Sequence, residues 1–267
     1  EPDTSSPTLA WATFYLPTLF RNYDPKNAEK ALDFINKHTE LKTFSNYTFI
    51  GYAFERNNDF INAKVTYQLA LPLAENENEV YHSYMYYTNF LTRMGDYQQA
   101  DEYIHKMEVL STTAAGFFKE SYKSEAMSAR IIYYLNVGDY QSYVQASEKR
   151  NAELLPIWSK SNTTECNPYN GIFFSNTAFG KEMMKEYDVA QKLWKSRDSV
   201  NTIWVNCYNK TYPNSKYYSL SMYPVFLAKR GKQHLLPKPI SFFIKETEDH
   251  YNSYKDVAGI SAHFAKA

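Results

Sequence analysis

The sequence has little cysteine, little glycine and no excess of charge of either sign. Of its 267 residues, 2 are cysteine and 8 are glycine, and 29 Lys and Arg balance 29 Asp and Glu. Scarce glycine disfavours a sandwich or barrel rich in tight turns, and balanced charge lacks the basic surface of nucleic-acid-binding proteins. No apolar run approaches the length that spans a bilayer. The composition favours a helical protein with no transmembrane segment and no nucleic-acid partner.

The cysteines and the first residues bear on the cellular compartment. Cys166 and Cys207 lack the C-x-x-C spacing of a zinc site, and in an exported protein they could form a disulfide. Two unconnected thiols are the alternative. The chain starts at Glu1 with a polar, proline-containing stretch rather than a methionine, which favours an exported protein, periplasmic or extracellular, after removal of a signal peptide. A trimmed or cytoplasmic protein is the alternative.

One pattern recurs along the chain: an aromatic residue, a small residue three positions later, and a bulky residue four positions after that. The copies are Phe60-Ala63-Tyr67, Tyr97-Ala100-Ile104, Tyr187-Ala190-Trp194 and a degraded Tyr140-Tyr143-Ser147. This spacing places the three side chains on one face of a helix. Recurrence every few tens of residues indicates a stack of helical repeats.

Start and stop signals divide the chain into helices. Asp24-Pro25 starts one of them, with Asp as cap and Pro in the first turn. The predicted helices are 25–38, 43–56, 60–73, 79–94, 97–110, 114–137, 140–153, 172–186, 187–198, 203–208, 216–230 and 240–254, with a long loop over 155–171. No strand-length alternation is present, so the prediction is an all-α fold.

Three of the predicted turns have related chemistry. They are Asn58-Asp59-Phe60, Gly95-Asp96-Tyr97 and Gly138-Asp139-Tyr140. The first residue of each turn ends a helix, the aspartate caps the next helix, and the aromatic residue is expected to wedge between the two.

Residues 24–110 resemble the tetratricopeptide repeat family. That signature has an aromatic, a Leu-Gly pair and a second aromatic on the first helix, then Ala, an aromatic and Ala on the second. The first match runs Tyr47, Ile50-Gly51, Phe54, Phe60, Ala63, Tyr67, Ala70. The second runs Tyr84, Tyr87-Thr88, Leu91, Gly95, Tyr97, Ala100, Ile104, Met107. The number of residues between successive copies of the pattern increases towards the C-terminus. In the third unit the signature positions hold Met127, Arg130-Ile131 and Tyr134 instead.

The resemblance implies a right-handed solenoid of tetratricopeptide-like hairpins forming one domain over residues 1–267. Residues 24–154 would hold the more regular repeats, and 172–267 the divergent ones, with 240–254 as a capping helix. The residues that it implies for packing between helices are Tyr47, Gly51, Phe60, Ala63, Tyr67, Tyr97, Ala100, Tyr140, Tyr187, Ala190 and Trp194.

In this family the concave groove is lined by first-helix residues between the signature positions, which implies a groove that binds a protein or peptide. Carried over to this chain, those residues are Thr48, Tyr52, Glu55, His82, Met85, Asn89 and Arg93. Family members that grip the acidic tail of chaperones carry Lys and Asn at two of these sites. This chain has Thr48 and Tyr52 in the first unit, and Met85 and Asn89 in the second. The set of Lys and Asn residues that binds the acidic tail is therefore incomplete here. The resemblance therefore predicts a non-catalytic scaffold or adaptor, and a solvated surface without a ligand is the alternative.

Two other classes of function remain open. The tyrosine-rich runs 81–87, 133–134 and 217–218 could stack on sugar rings in a glycan-binding protein of the periplasm or cell surface. A helical enzyme is the third class. Glu102 and His105 lie one helical turn apart, as in half of a helical-bundle metal site, and Glu246, Glu248, Asp249 and His250 cluster near the C-terminus. Neither set completes a site, and no catalytic motif is present. We predict no catalytic residue, no metal and no cofactor.

Overall fold

The computed structural model describes residues 6–21, 25–114, 118–161, 169–211 and 222–236, and Lys245. Every regular element in these ranges is helical, which confirms the all-α prediction. The helices are α1 (Pro7–Ala10), α2 (Leu16–Arg21), α3 (Pro25–Lys37), α4 (Phe44–Arg56), α5 (Phe60–Ala70), α6 (Glu77–Met94), α7 (Tyr97–Thr113), α8 (Phe118–Val137), α9 (Tyr140–Ser161), α10 (Tyr169–Met183), α11 (Tyr187–Thr211) and α12 (Met222–Lys229). A π-helical turn, Trp11–Tyr15, joins α1 to α2, and short 3-10 turns lie at Thr39–Leu41, Leu71–Leu73 and Gln233–Leu235.

The chain divides into two compact units, Glu1–Gly138 and Asp139–Ala267. In the first unit α4 packs against α5, α6 against α7, and α7 against α8. In the second, α10 packs against both α9 and α11, and α12 packs against α11. Successive antiparallel helices in contact are the building unit of a helical repeat. The single domain over 1–267 stays a prediction.

The three related turns form as the sequence indicates. The residue that ends the preceding helix is left-handed in each: Asn58 at φ 61°, Gly95 at 75° and Gly138 at 77°. The following aspartate accepts a hydrogen bond from the backbone N–H three residues on: Asp59 from Asn62, Asp96 from Gln99 and Asp139 from Ser142. Asn and Gly tolerate the left-handed region and Asp satisfies an orphan N–H. This local chemistry therefore explains where α5, α7 and α9 begin.

The small residues of the repeat lie at the centre of the packing. Ala63, Ala100 and Ala190 are fully buried, and Tyr47, Tyr67 and Trp194 are buried beside them. Gly51 lies against the ring of Tyr67, and a Cβ at this position would be 3.1 Å from the ring carbons. Small side chains let the helix axes approach and leave the volume between them to the large rings.

The first aromatic of each copy lies at the edge of the packed helices, and Tyr187 packs against the core of the second unit. Phe60 is 37% exposed, and Tyr97, Tyr140 and Tyr187 are half-buried. Each is the first residue of its helix, so it lies at the rim of the packed face. The residue seven positions later, such as Tyr67, occupies the middle of that face.

The largest differences from the predicted helix boundaries lie in two segments of the second unit. The predicted loop 155–171 is shorter, because α9 continues through Pro156 to Ser161 and α10 begins at Tyr169. A proline removes one backbone donor, but fully buried Leu154 anchors this part of α9. Helix α11 runs unbroken to Thr211, where the sequence suggested a break after residue 198. Asp198, where the break was expected, accepts hydrogen bonds from the backbone N–H groups of Met222 and Tyr223 at the start of α12, so a tertiary contact holds α11 at this point.

The two ends of the chain complete the comparison. The residues of the predicted capping helix, 240–254, lie outside the described residues except Lys245. At the other end, the helical stretch from Pro7 to Arg21 was not predicted. Trp11 is buried there, and Tyr15 stacks on Phe34 of α3 with ring centroids 4.3 Å apart.

Replacing Gly180 by alanine should lower the free energy of unfolding by about 1–3 kcal/mol, the usual cost of overpacking. A Cβ on Gly180 of α10 would lie 2.9 Å from Cδ1 of Tyr143 and closer still to Val144, both on α9. Urea unfolding followed by circular dichroism measures the change. Met183→Ala, at an exposed position of the same helix, should stay within about 0.5 kcal/mol of wild type. Equal stability of Gly180→Ala and wild type would show that α9 and α10 are not packed this closely.

Candidate functional site

The seven predicted groove residues separate by burial. Tyr52, Asn89 and Arg93 are exposed, His82 and Met85 are half-buried, and Thr48 and Glu55 are buried. The expectation that Thr48 and Glu55 line an open groove is therefore corrected. Both lie on the inward edge of α4, because the exposed face of this helix is narrow and follows Ser45, Tyr52 and Arg56 at helical spacing.

The exposed residues form one surface, which we call the exposed stripe: Tyr52 and Arg56 on α4, and Tyr86, Asn89 and Arg93 on α6. The members on each helix share a face by their three- and four-residue spacing. Arg93 of α6 contacts Glu55 of α4, which places the two faces side by side. The sequence reasoning missed Arg56 and Tyr86, although their spacing from Tyr52 and His82 was a signal that could have found them.

Arg93 is held in place by two buried residues, Glu55 and Tyr67. The Glu55 carboxylate, 7% exposed, lies 2.5 Å from Nη2 of Arg93 and accepts a 3.0 Å hydrogen bond from the Tyr67 hydroxyl. Burial raises the pKa of Tyr67, and the charge of Glu55 raises it further, so the hydroxyl stays protonated and remains a donor. The Arg93 side chain is 57% exposed. Its guanidinium is therefore oriented before any ligand arrives, which lowers the ordering cost of binding.

Aromatic rings lie on both helices of the stripe. The guanidinium carbon of Arg56 lies 5.5 Å from the ring centroid of Tyr52, a cation–π distance. On α6 the rings of His82 and Tyr86 are 6.4 Å apart. His82 Nδ1 lies 2.7 Å from the Asn78 carbonyl oxygen, so Nδ1 donates, and in the neutral ring Nε2 is the acceptor. The stripe thus combines amide, guanidinium and aromatic groups.

The second unit repeats the same arrangement with different residues. Glu182, at the end of α10, accepts a 3.1 Å hydrogen bond from Nε1 of Trp194 on α11 and lies 3.7 Å from Nζ of Lys229 on α12. Lys185 is left-handed at φ 64°, as Asn58 is in the first unit. A carboxylate ends the first helix, an aromatic of the second helix donates to it, and a cation of the next helix pairs with it. The repeat signature contains no such carboxylate, so sequence matching missed this recurrence.

Most described tyrosines of the tyrosine-rich runs pack between helices. Tyr81 and Tyr87 are buried, and Tyr81 stacks on Tyr122 of α8, outside the runs, with centroids 3.9 Å apart. Tyr133 and Tyr134 are half-buried, and residues 217–218 lie outside the described residues. Within the run 81–87, Tyr86 is exposed. A continuous exposed aromatic platform for sugar rings is therefore not formed by the described members of these runs.

The sequence contains two groups of acidic and histidine residues that could bind a metal, around His105 and around His250. No group of three His, Cys, Asp or Glu able to hold a metal ion occurs in the described ranges, and His105, beside Glu102, faces solvent. The acidic cluster at 246–250 lies outside those ranges.

No helix in the described part of the chain is long and apolar enough to cross a membrane. Cys207 lies on α11, and Cys166 is not among the described residues. The Cys166–Cys207 bridge and an exported location stay predictions, and intact mass without and with reductant tests the bridge.

Comparison with known proteins identifies the class of fold. No family model matches the sequence, and no curated protein matches it by sequence. The structure is similar to that of a Podosopora anserina protein described as a kinesin light chain with nearly identical TPR-like repeats. The TM-score is 0.53 at 14% sequence identity, over 79% of this chain and 100% of that chain. This similarity shows a tetratricopeptide-like helical-repeat fold, as predicted; repeats of this kind present extended surfaces that commonly bind proteins.

Proposed function

We propose that this chain is a non-catalytic scaffold or adaptor that binds a segment of another protein along the exposed stripe. The observation that carries the proposal is the Arg93–Glu55–Tyr67 network. It holds a half-exposed guanidinium in a fixed orientation between the stripe residues of two neighbouring helices. Because this guanidinium is already oriented, a ligand that binds it does not have to immobilise a flexible side chain.

The side chains of the stripe indicate the chemistry of the partner. Asn89 can donate to and accept from a peptide backbone, and the Arg56 and Arg93 guanidinium groups donate only. Hydrogen-bond donors are therefore in excess, and the matching ligand supplies carbonyl or carboxylate oxygens. Tyr52 and Tyr86 add flat apolar surface with a polar tip, as in many protein interfaces. These properties favour an extended peptide segment, whose carbonyl oxygens are exposed.

The test is affinity capture from the native source, comparing wild type with the double variant Tyr52→Ala/Asn89→Ala. Arg93 is left intact, because its removal would leave the buried Glu55 unpaired and confuse loss of binding with loss of stability. Truncating two central contacts should weaken binding by at least about tenfold, in the range of interface hot spots. A partner kept by wild type and lost by the double variant supports the proposal.

The control is Gln141→Ala/Gln145→Ala/Lys149→Ala, three exposed positions of α9. This variant should retain the partner as wild type does. Equal retention by wild type and the Tyr52→Ala/Asn89→Ala variant would contradict binding at the stripe, as would capture of no specific protein.

A further inference from the structure

Helices α10, α11 and α12 of the second unit match helices α4, α5 and α6 of the first unit residue by residue. The pairs with the same spacing along α4–α5 and α10–α11 are Glu55 and Glu182, Asn58 and Lys185, Ala63 and Ala190, and Tyr67 and Trp194. The pairs along α6 and α12 are Tyr87 and Tyr223, Phe90 and Phe226, Leu91 and Leu227, Arg93 and Lys229, and Gly95 and Gly231. The two phenylalanines and the two leucines are buried, and the two glycines are left-handed. Each residue of the exposed stripe therefore has an equivalent in the second unit.

These equivalents are apolar, with one exception. They are Phe179 for Tyr52, Met183 for Arg56, Met222 for Tyr86, Val225 for Asn89, and Lys229 for Arg93, and we call these five residues of α10 and α12 the second stripe. Met183 and Val225 are 41% and 43% exposed, and the Lys229 side chain is 61% exposed. Phe179 and Met222 are half-buried against the core of the unit. The second stripe thus has the cation of the exposed stripe without its other polar groups.

The exposed apolar residues lie on either side of Lys229. Val225 precedes Lys229 by one turn on α12, so the two share a face of this helix. Met183 follows Glu182 on α10, and Oε1 of Glu182 lies 3.7 Å from Nζ of Lys229. Exposed apolar surface that surrounds a fixed polar group is typical of interaction sites.

Lys229 is oriented at this surface and still has free donor capacity. The Glu182 side chain is 16% exposed, and its second oxygen, Oε2, accepts the hydrogen bond from Trp194, so the carboxylate is fixed. The start of α12 is fixed by Asp198. A lysine ammonium has three N–H donors. Contact with one oxygen of Glu182 therefore leaves donors that can meet a ligand.

We propose that the second stripe binds a protein segment in which apolar side chains flank a single carboxylate. Opposite charge selects the carboxylate, because Lys229 is the charged member of the stripe and donates only. Apolar side chains over Met183 and Val225 exclude water from Lys229, which strengthens its attraction for the carboxylate. A segment with a cation at this point would lose hydration without gaining a partner. This surface is separate from the exposed stripe and does not depend on the proposed function.

The experiment selects random linear peptides displayed on phage against the full chain, with counter-selection on Lys229→Gln. Counter-selection removes peptides that bind elsewhere, including those that bind the exposed stripe. A glutamine at position 229 can still donate to Glu182, so the variant should fold, and circular dichroism checks this. The surviving peptides should contain Asp or Glu next to Leu, Ile, Met or Phe.

Fluorescence anisotropy with one selected peptide, synthesised with a dye, measures the affinity. Lys229→Gln should weaken binding by at least about tenfold, as should Val225→Gln, which keeps the cation. Lys229→Arg and the control Lys192→Gln, at an exposed position of α11, should bind as wild type does. Changing the peptide's Asp or Glu to its amide should weaken binding to wild type equally, with little further loss on Lys229→Gln.

Three results would overturn the proposal. The first is that no peptide survives counter-selection, whether the surface is then bare or covered by another part of the chain. The second is a set of surviving peptides without an acidic residue. The third is additive loss from Lys229→Gln and from the amide peptide, since additivity means that the two charges do not meet. If Val225→Gln binds as tightly as wild type, the apolar part of the proposal is overturned.

Discussion

Replacing Tyr81 by alanine should lower the free energy of unfolding by about 3–5 kcal/mol, the usual cost of removing a buried aromatic ring. Tyr81 is fully buried, its ring stacks on that of Tyr122, and its hydroxyl donates a 2.7 Å hydrogen bond to the Tyr122 carbonyl oxygen. Burial, with a smaller contribution from Glu125, raises the pKa of Tyr81 and keeps this donor protonated. Urea unfolding of the purified protein measures the loss.

Two further variants separate the contributions to this effect. Tyr81→Phe keeps the stacking and loses the hydrogen bond, so it should cost only about 1–3 kcal/mol. Tyr86→Ala removes a tyrosine of the same helix that is exposed, and it should change stability by about 0.5 kcal/mol or less. If Tyr81→Phe were as damaging as Tyr81→Ala, the stacked pair would not be what joins α6 to α8.

Replacing Arg93 by alanine should cost about 1–3 kcal/mol of stability, although more than half of its side chain is exposed. The loss comes from Glu55, whose buried carboxylate then keeps the Tyr67 hydrogen bond but loses the cation, and uncompensated buried charge is costly. The value is below that of a fully buried pair because solvent reaches Arg93 and screens the interaction. Thermal and urea unfolding measure it.

A double-mutant cycle tests this explanation. Glu55→Gln removes the buried charge. The double variant Glu55→Gln/Arg93→Ala should therefore recover part of the stability that Arg93→Ala loses, with a coupling energy between the two substitutions of about 0.5–3 kcal/mol. Asn89→Ala, at an exposed position one turn before Arg93 on α6, is the control. It should show no coupling to Glu55→Gln beyond about 0.5 kcal/mol. Additive effects of Arg93→Ala and Glu55→Gln would mean that Glu55 does not orient Arg93.

Most of the correct helix boundaries were predicted from local sequence signals such as helix caps. The caps Asp59, Asp96 and Asp139 fix helix starts because their effect reaches only the next three residues. The failures are places where tertiary packing overrides local preference. Pro156 breaks helices in isolation, yet α9 continues through it, since the adjoining turn is anchored by buried Leu154. Local chemistry contains no information about that packing.

The candidate site could be predicted only in part, because burial depends on partners distant in sequence. The resemblance brought Tyr52, Asn89 and Arg93 into the site, and these three are exposed. It could not show that Glu55 turns inward, since that follows from contacts with Tyr67 and Arg93 on other helices. The Glu182–Trp194–Lys229 arrangement was missed for the same reason.

Photo-crosslinking at position 52 tests the central claim most directly, that a partner binds the exposed stripe. Benzoylphenylalanine in place of Tyr52 keeps an aromatic ring on the stripe, and the same group in place of Gln141 on α9 is the matched control. We expect a covalent adduct with one captured protein from position 52 and none from position 141. Adducts from position 141 but not from position 52, or none from either, would contradict the account.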